Sequence, residues 1–364
     1  MGTALAKRVF LIAEQLRSKV PGGIGTHTSA LLGALSTIKD EFSSLELEIV
    51  ATRPTGSETL DKFGIPVRYI PVPHKVFMRL SGYPLPLLGR KPGIYHSFSM
   101  FVPPVSGPIQ RRVCTVHDLA FSSNPNFFTK RGVQWHARQL QEIARGDFPV
   151  VAVSQRTKKS LLANGIEEKR VFVIEPGADH LGQADLSGCQ QLLKSLGVQT
   201  GFILSVSTQE PRKNLDGLIG AYQLAKISDP LLPELLIVGP SGWGPSIKRV
   251  SGVHFLGRIP EPILVSLYQL ASLLVYVPFE EGFGLPVVEA MFQGLAVVGS
   301  DVPAAGESVE LVDPNSMESI AKGISRLIKD SRARQIKIDK GLDRVKKMTW
   351  VNSARCYMDL WERM

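Results

Sequence analysis

Residues 278–301 read PFEEGFGLPVVEAMFQGLAVVGSD. The apolar run LLVYVP (273–278) enters this stretch and LAVVGSD (295–301) closes it. Both have the length of buried strands. Between them Pro286 suits the first position of a helix, where a missing N–H costs nothing, and Gly294 suits its end. Strand, glycine loop, helix and strand form the repeating unit of a doubly wound parallel sheet. Glu281 then falls in the loop at the strand's carboxyl end, and Glu289 just past the first helical turn. The N–H groups around Gly282, Phe283, Gly284 and Leu285 can face a ligand, and a helix N-terminus attracts phosphate. Carboxylates accept hydrogen bonds from hydroxyls. The block suits a ligand that is anionic in the middle and hydroxylated at both ends. For either glutamate alone a solvated turn is the simpler reading.

The same rhythm extends in both directions. KRVFLIAEQ (7–15), LEIVAT (47–52), PVRYIPV (66–72), GIYHSF (93–98), RVCTVHD (112–118), PVVAVS (149–154) and RVFVIEPG (170–177) read as strands. SQRTKKSLLANG (154–165) is a helix with an N-cap Ser154 and a stop at Gly165. A linker is expected near 180–190, in HLGQADLSGCQ. The alternation then restarts with GFILSVST (201–208), the helix KNLDGLIGAYQLA (213–225), ELLIVGPSGW (234–243) and VHFLG (253–257), and it runs on to ESVELVDP (307–314). Two α/β domains of similar size hold a ligand in the cleft between their carboxyl edges. The last segment, MTWVNSARCYMDLWERM, carries Trp350, Ala354, Tyr357, Met358 and Trp361 at helical spacing, a stripe that needs a surface to pack on.

A length of 364 residues accommodates two cores, and 44% hydrophobic with 21% charged residues is ordinary globular composition. No apolar run is long enough to span a bilayer, and MGTALAKRVFLIAEQL lacks a signal-peptide cleavage site. Ala6 stands where an acylation signal needs Ser or Thr. Cys114, Cys189 and Cys356 are scattered singly, which predicts reduced packing thiols in the cytoplasm. The net charge of +9 is uneven. Residues 1–183 hold 23 Lys and Arg against 14 Asp and Glu, whereas residues 184–364 are balanced. The basic half predicts an acidic partner: anionic lipid, a phosphorylated substrate or nucleic acid.

STQEPRKNL supplies Arg212 and Lys213 where a strand ends and a helix begins. Cations are unfavourable at a helix N-terminus unless an anion joins them, so the pair suits a diphosphate. PGGIGTH places Gly22, Gly23 and Gly25 in a loop after the first strand. Its spacing is not that of a dinucleotide fingerprint. His117 follows the strand RVCTV and Asp118 suits a turn, while His96 in IYHSF reads as structural.

The stretch EGFGLPVVEA resembles the E-x7-E signature of retaining glycosyltransferases of family 4. GGIGTHT, TVHDLAF, VAVSQRTKKSLL, EPRKNL, LLIVGPSGW, VHFLGRIP and the tryptophan-bearing terminal helix agree in order and spacing over nearly the whole chain. The resemblance implies the GT-B fold: two doubly wound Rossmann-like domains facing across a cleft, with a C-terminal helix crossing back to the first. The expected boundaries are 1–183 for an acceptor-binding domain, 184–345 for a nucleotide-sugar domain and 346–364 for the returning helix. It also implies a retaining transferase that needs no metal. Arg212 and Lys213 would contact the donor diphosphate, and Glu289 the ribose. Glu281 and His117, the candidate catalytic residues, would stand at the sugar. Gly22, Gly23 and Gly25 would approach the diphosphate and acceptor. The EPRKN and GW variants resemble those of the family's mannosyl- and rhamnosyl-type members, and GDP-mannose is the donor favoured by that resemblance.

Two departures accompany the likeness. Many relatives carry another Arg where this chain has Ser207 and Thr208, and a longer stretch after Asp301. The first keeps open a catalytically inactive sugar-nucleotide sensor on the same fold. A nicotinamide dehydrogenase is disfavoured by the missing fingerprint, and a nucleic-acid binder by the lack of an aromatic-basic module. The expected setting is cytoplasmic, with the basic half contacting the inner face of a membrane and a glycolipid or saccharide as acceptor.

Overall fold

The structure is a computed structural model that describes residues 6–18, 21–53, 60–83, 88, 91–105, 109–245, 247 and 249–364. The opening MGTAL and Val20 of the glycine stretch lie outside the described residues. The chain forms two units, Met1–Pro125 with Lys130–Pro176 and Trp350–Met364, and Asn126–Thr129 with Gly177–Thr349.

In the first unit the strands are β1 (Lys7–Ile12), β2 (Leu45–Thr52), β3 (Val67–Ile70), β4 (Gly93–Ser97), β5 (Gln110–Val116), β6 (Val150–Ala152) and β7 (Val171–Val173). All pair in parallel in the order β3-β2-β1-β4-β5-β6-β7. The second sheet holds β8 (Ile203–Val206), β9 (Leu235–Val238), β10 (Val253–Gly257), β11 (Leu273–Tyr276), β12 (Val297–Gly299) and β13 (Val309–Leu311). It too is parallel, in the order β10-β9-β8-β11-β12-β13. Parallel sheets are covered by helices on both faces, which is why these strands read as continuous apolar runs. β9 and β11 are buried at every position. In each sheet the strand order reverses once, between β1 and β4 and between β8 and β11. Ligands bind outside the carboxyl ends at such points.

Two sequence expectations change. The linker near 180–190 contains a helix start: Asp185 accepts the Gly188 N–H at 2.9 Å and caps the helix Leu186–Leu196. The passage between units falls earlier, at Pro176, and the return at Trp350. The glycine stretch is likewise the first turns of the helix Gly22–Ile38 rather than a loop. The Gly25 N–H closes a turn on the Pro21 carbonyl at 3.0 Å. A Cβ at Gly25 would sit 2.1 Å from Pro21 Cβ, so the turn requires glycine there.

The helix Trp350–Arg363 packs against Gly22–Ile38 within the first unit. Trp350, Tyr357 and Trp361 are buried on its apolar face. The Trp361 indole donates to His96 Nδ1 at 3.0 Å, and His96 Nε2 meets Thr115 Oγ1 at 2.9 Å. Burial pushes the His96 imidazole down to about 3, so it stays neutral as a core residue. Cys114 and Cys189 are buried thiols; Cys356 is exposed. No helix among the described residues is long and apolar enough to cross a membrane.

Candidate active site

The loops after β8 and β11 carry the site. These strands are neighbours, so their carboxyl ends bring residues 207–214 beside residues 277–281. Asn214 fixes the first loop. It adopts a left-handed φ of 57°, a conformation Asn tolerates better than most residues, and its amide donates to the carbonyls of Val277 (3.1 Å) and Pro314 (2.7 Å). That anchor ends the short turn Pro211–Lys213 and aims its two cations at the second loop. The Phe279 N–H donates to the Arg212 carbonyl at 3.0 Å and locks the two loops together.

Arg212 forks. Its Nη1 donates to Glu281 Oε2 at 2.9 Å and to the Glu280 carbonyl at 3.2 Å, and its Nη2 donates to Glu210 Oε1 at 3.0 Å. Lys213 donates to Glu281 Oε1 and, at 3.0 Å, to the Tyr276 hydroxyl. Tyr276 donates to Glu281 Oε1 at 2.6 Å. The anions that the two cations need at a helix start are therefore supplied within the protein, by Glu210 and Glu281. The four charges cancel. A diphosphate at this point would share Arg212 and Lys213 with Glu281 rather than find them uncommitted.

Burial would raise the Glu281 carboxyl, but the charges of Arg212 and then Lys213 outweigh it and hold the group at about 2. Its ordinary value is 4.5. Because the folded group binds its proton less tightly than the unfolded one, it stabilises the fold above pH 4.5. That contribution is lost as pH falls toward about 2. The full difference is on the order of 3 kcal/mol. Urea unfolding at about pH 6 and about pH 3 should show the loss, and Glu281→Gln should flatten it. Equal pH dependence in the variant would contradict this assignment.

Glu289 lies in the helix Leu285–Phe292, within the buried run Val287–Met291. It does not join the cation cluster. Tyr268 donates to its Oε2 at 2.7 Å, and His180 Nε2 lies 3.2 Å from its Oε1. Burial, and then the charge of Glu289, push the Tyr268 hydroxyl far up, so it remains a donor. Burial opposes a charge on His180, but the hydrogen bond and charge of Glu289 prevail and raise its pKa. Neither Tyr268 nor His180 is marked by the sequence motif.

The loop between the two glutamates is tightly built. Gly284 has φ 106°, and a Cβ there would sit 3.0 Å from Val302 Cγ2. The Phe283 carbonyl accepts the Ala304 N–H at 2.9 Å. The short connection after Asp301 thus folds directly onto the glycine loop. Ser207 is buried, and its Oγ meets no hydrogen-bond partner among the described residues.

The remaining sequence candidates belong to the first unit. Gly22, Gly23 and Gly25 start the helix Gly22–Ile38. His117 donates from Nε2 to the Phe98 carbonyl at 3.0 Å, and its ring meets the edge of His27 at 4.8 Å. Asp118 accepts the Ala120 N–H at 3.1 Å, a turn-forming role.

Residues 200–330 match the family model described as "Glycosyl transferases group 1". O-antigen chain mannosyltransferase B of Escherichia coli is 29% identical over 274 residues, 71% of each chain. Serotype-specific mannosyltransferase WbdA of E. coli is 26% identical over 298 residues, 74% of this chain; the match spans only 35% of WbdA. Anabaena HepE, solved in complex with UDP and glucose, shares the fold at a TM-score of 0.73 and 21% identity, covering 99% of this chain and 100% of HepE. WaaG, a glycosyltransferase involved in lipopolysaccharide biosynthesis, shares it at a TM-score of 0.70 and 14% identity, covering 97% of this chain and 99% of WaaG. The match over residues 200–330, these relatives and the two parallel sheets support a glycosyltransferase on the GT-B fold, similar in sequence to the E. coli mannosyltransferases.

Proposed function

We propose that the protein transfers mannose from GDP-mannose, with retention and without a metal, to a hydroxyl of a glycolipid or polysaccharide precursor. The observation that carries this reading is the buried Arg212–Lys213–Glu281 cluster at the strand-order reversal of the second sheet. Arg212 and Lys213, shared with Glu281, supply fixed donors for the charge of a departing diphosphate, a part that a metal plays in other transferases. Glu289 holds the ribose hydroxyls, exchanging its present tyrosine and histidine partners in part for the ligand's. The N–H groups from Gly282 to Leu285 hold the sugar. His117 and the glycines at 22, 23 and 25 serve the reacting end and the acceptor. The mannose assignment follows the two E. coli relatives, both named mannosyltransferases. The basic excess in residues 1–183 favours an acceptor presented at an anionic membrane surface from the cytoplasmic side.

A sugar-nucleotide sensor is the second reading. It is favoured by the internal neutralisation of Arg212 and Lys213 and by Ser207 in place of an arginine. Thermal unfolding in EDTA with GDP-, UDP-, ADP- and dTDP-sugars separates the possibilities. The expected result is stabilisation by GDP-mannose above the rest, followed by slow release of GDP. Stabilisation by another nucleotide would move the donor assignment. Stabilisation without GDP release or transfer would leave the sensor.

A further inference from the structure

A second cluster of titratable groups lies at the carboxyl edge of the first sheet. Glu14 follows β1 by two residues, Thr52 ends β2, and His74 opens the helix His74–Arg79 after β3. The Glu14 carboxylate is 3% exposed. It accepts the Thr52 N–H at 2.9 Å, the Thr52 hydroxyl at 2.6 Å and His74 Nδ1 at 2.5 Å. A carboxylate in that place holds a proton on Nδ1 and orients the ring. The His74 side chain is 35% exposed. The ring is thus held through one nitrogen while part of its surface stays open to a ligand.

Its location says what. Glu14 stands beside the β1–β4 reversal of strand order, where a doubly wound sheet receives its ligand. Its neighbour Gln15 donates to the Pro21 carbonyl at 2.9 Å, which ties this turn to the glycine-rich helix start assigned to the acceptor. A ring backed by a buried carboxylate favours a neutral hydroxyl over an anion. We propose that His74, oriented by Glu14, is an acceptor-binding residue whose ring hydrogen-bonds a hydroxyl of a saccharide acceptor. This rests on the transferase reading above and adds the acceptor side to it.

The test uses the full chain with GDP-mannose as donor and methyl α-mannoside as acceptor probe. His74→Phe keeps a ring but no nitrogen. It should raise the KM for the mannoside about tenfold, the effect of one lost hydrogen bond, with kcat and GDP-mannose stabilisation little changed. His74→Gln should recover part of that loss. An unchanged KM in His74→Phe overturns the proposal. A separate arm labels histidine with nitrogen-15 and follows Nε2 of His74 by NMR. Saturating mannoside should shift it; an unmoved resonance overturns the proposal. This arm reads the acceptor site without donor. A shift with no transfer in the wild type would therefore sink the transferase reading and leave the binding site standing.

Discussion

Replacing Lys213 by alanine should lower transfer from the donor by roughly 10²–10³-fold, the usual loss when one fixed donor to developing negative charge is removed. Lys213 holds both Glu281 and the Tyr276 hydroxyl. Its removal leaves Glu281 with Arg212 and Tyr276, in a site where the partner carboxylate is only 10% exposed. Stability should fall as well, because breaking one partner from a buried pair costs about 3–5 kcal/mol at full burial and somewhat less here. The two effects separate in measurement. Initial rates at a temperature well below the variant's unfolding midpoint read the chemistry, and a urea titration reads the fold. A variant that unfolds earlier but transfers close to the wild-type rate would remove Lys213 from the donor site.

Glu289→Ala should abolish stabilisation by the donor. A ligand at about a hundred times its Kd stabilises by about 2.7 kcal/mol, or roughly 5–10 °C for a unit of this size. The variant also strips the Tyr268 hydroxyl and His180 of their shared partner, so it will melt lower in the absence of donor. Tyr268→Phe is the control. It removes one of the same hydrogen bonds but leaves the carboxylate, and should keep most of the donor shift. Equal donor shifts in Glu289→Ala and wild type would mean that this glutamate serves packing alone.

The sheets were legible because parallel strands buried on both faces read as apolar runs, and their loops as glycine, proline and cap residues. The helix Gln155–Ala163 starts at Ser154, whose hydroxyl accepts the Thr157 N–H, a signal carried by the residue itself. The stretch PGGIGTH misled because proline and glycine announce a loop. The deciding facts, the Gly25–Pro21 turn and the hold of Gln15 on the Pro21 carbonyl, are contacts the residue types do not show. The motif also located Arg212, Lys213 and both glutamates but not how they divide. Glu281 faces cations while Glu289 faces Tyr268, 21 residues earlier, and His180, still further away. Such partners are set by which helices cross, so sequence spacing cannot name them. A tyrosine at the end of a buried strand was the available hint for Tyr276, since a buried phenol requires an acceptor.

The fifteen residues Trp350–Met364 belong with Met1–Pro125 and Lys130–Pro176. During synthesis the groove along Gly22–Ile38 must wait for them. At ordinary elongation of about 5–20 residues per second, the ribosome takes roughly 10–35 s to make what lies between Pro176 and Trp350. For that interval the earlier sheet exists with a bare apolar flank, while the later one can already close. The nascent chain should therefore mature in reverse of its order of emergence, with Trp350 and Trp361 closing the first unit last.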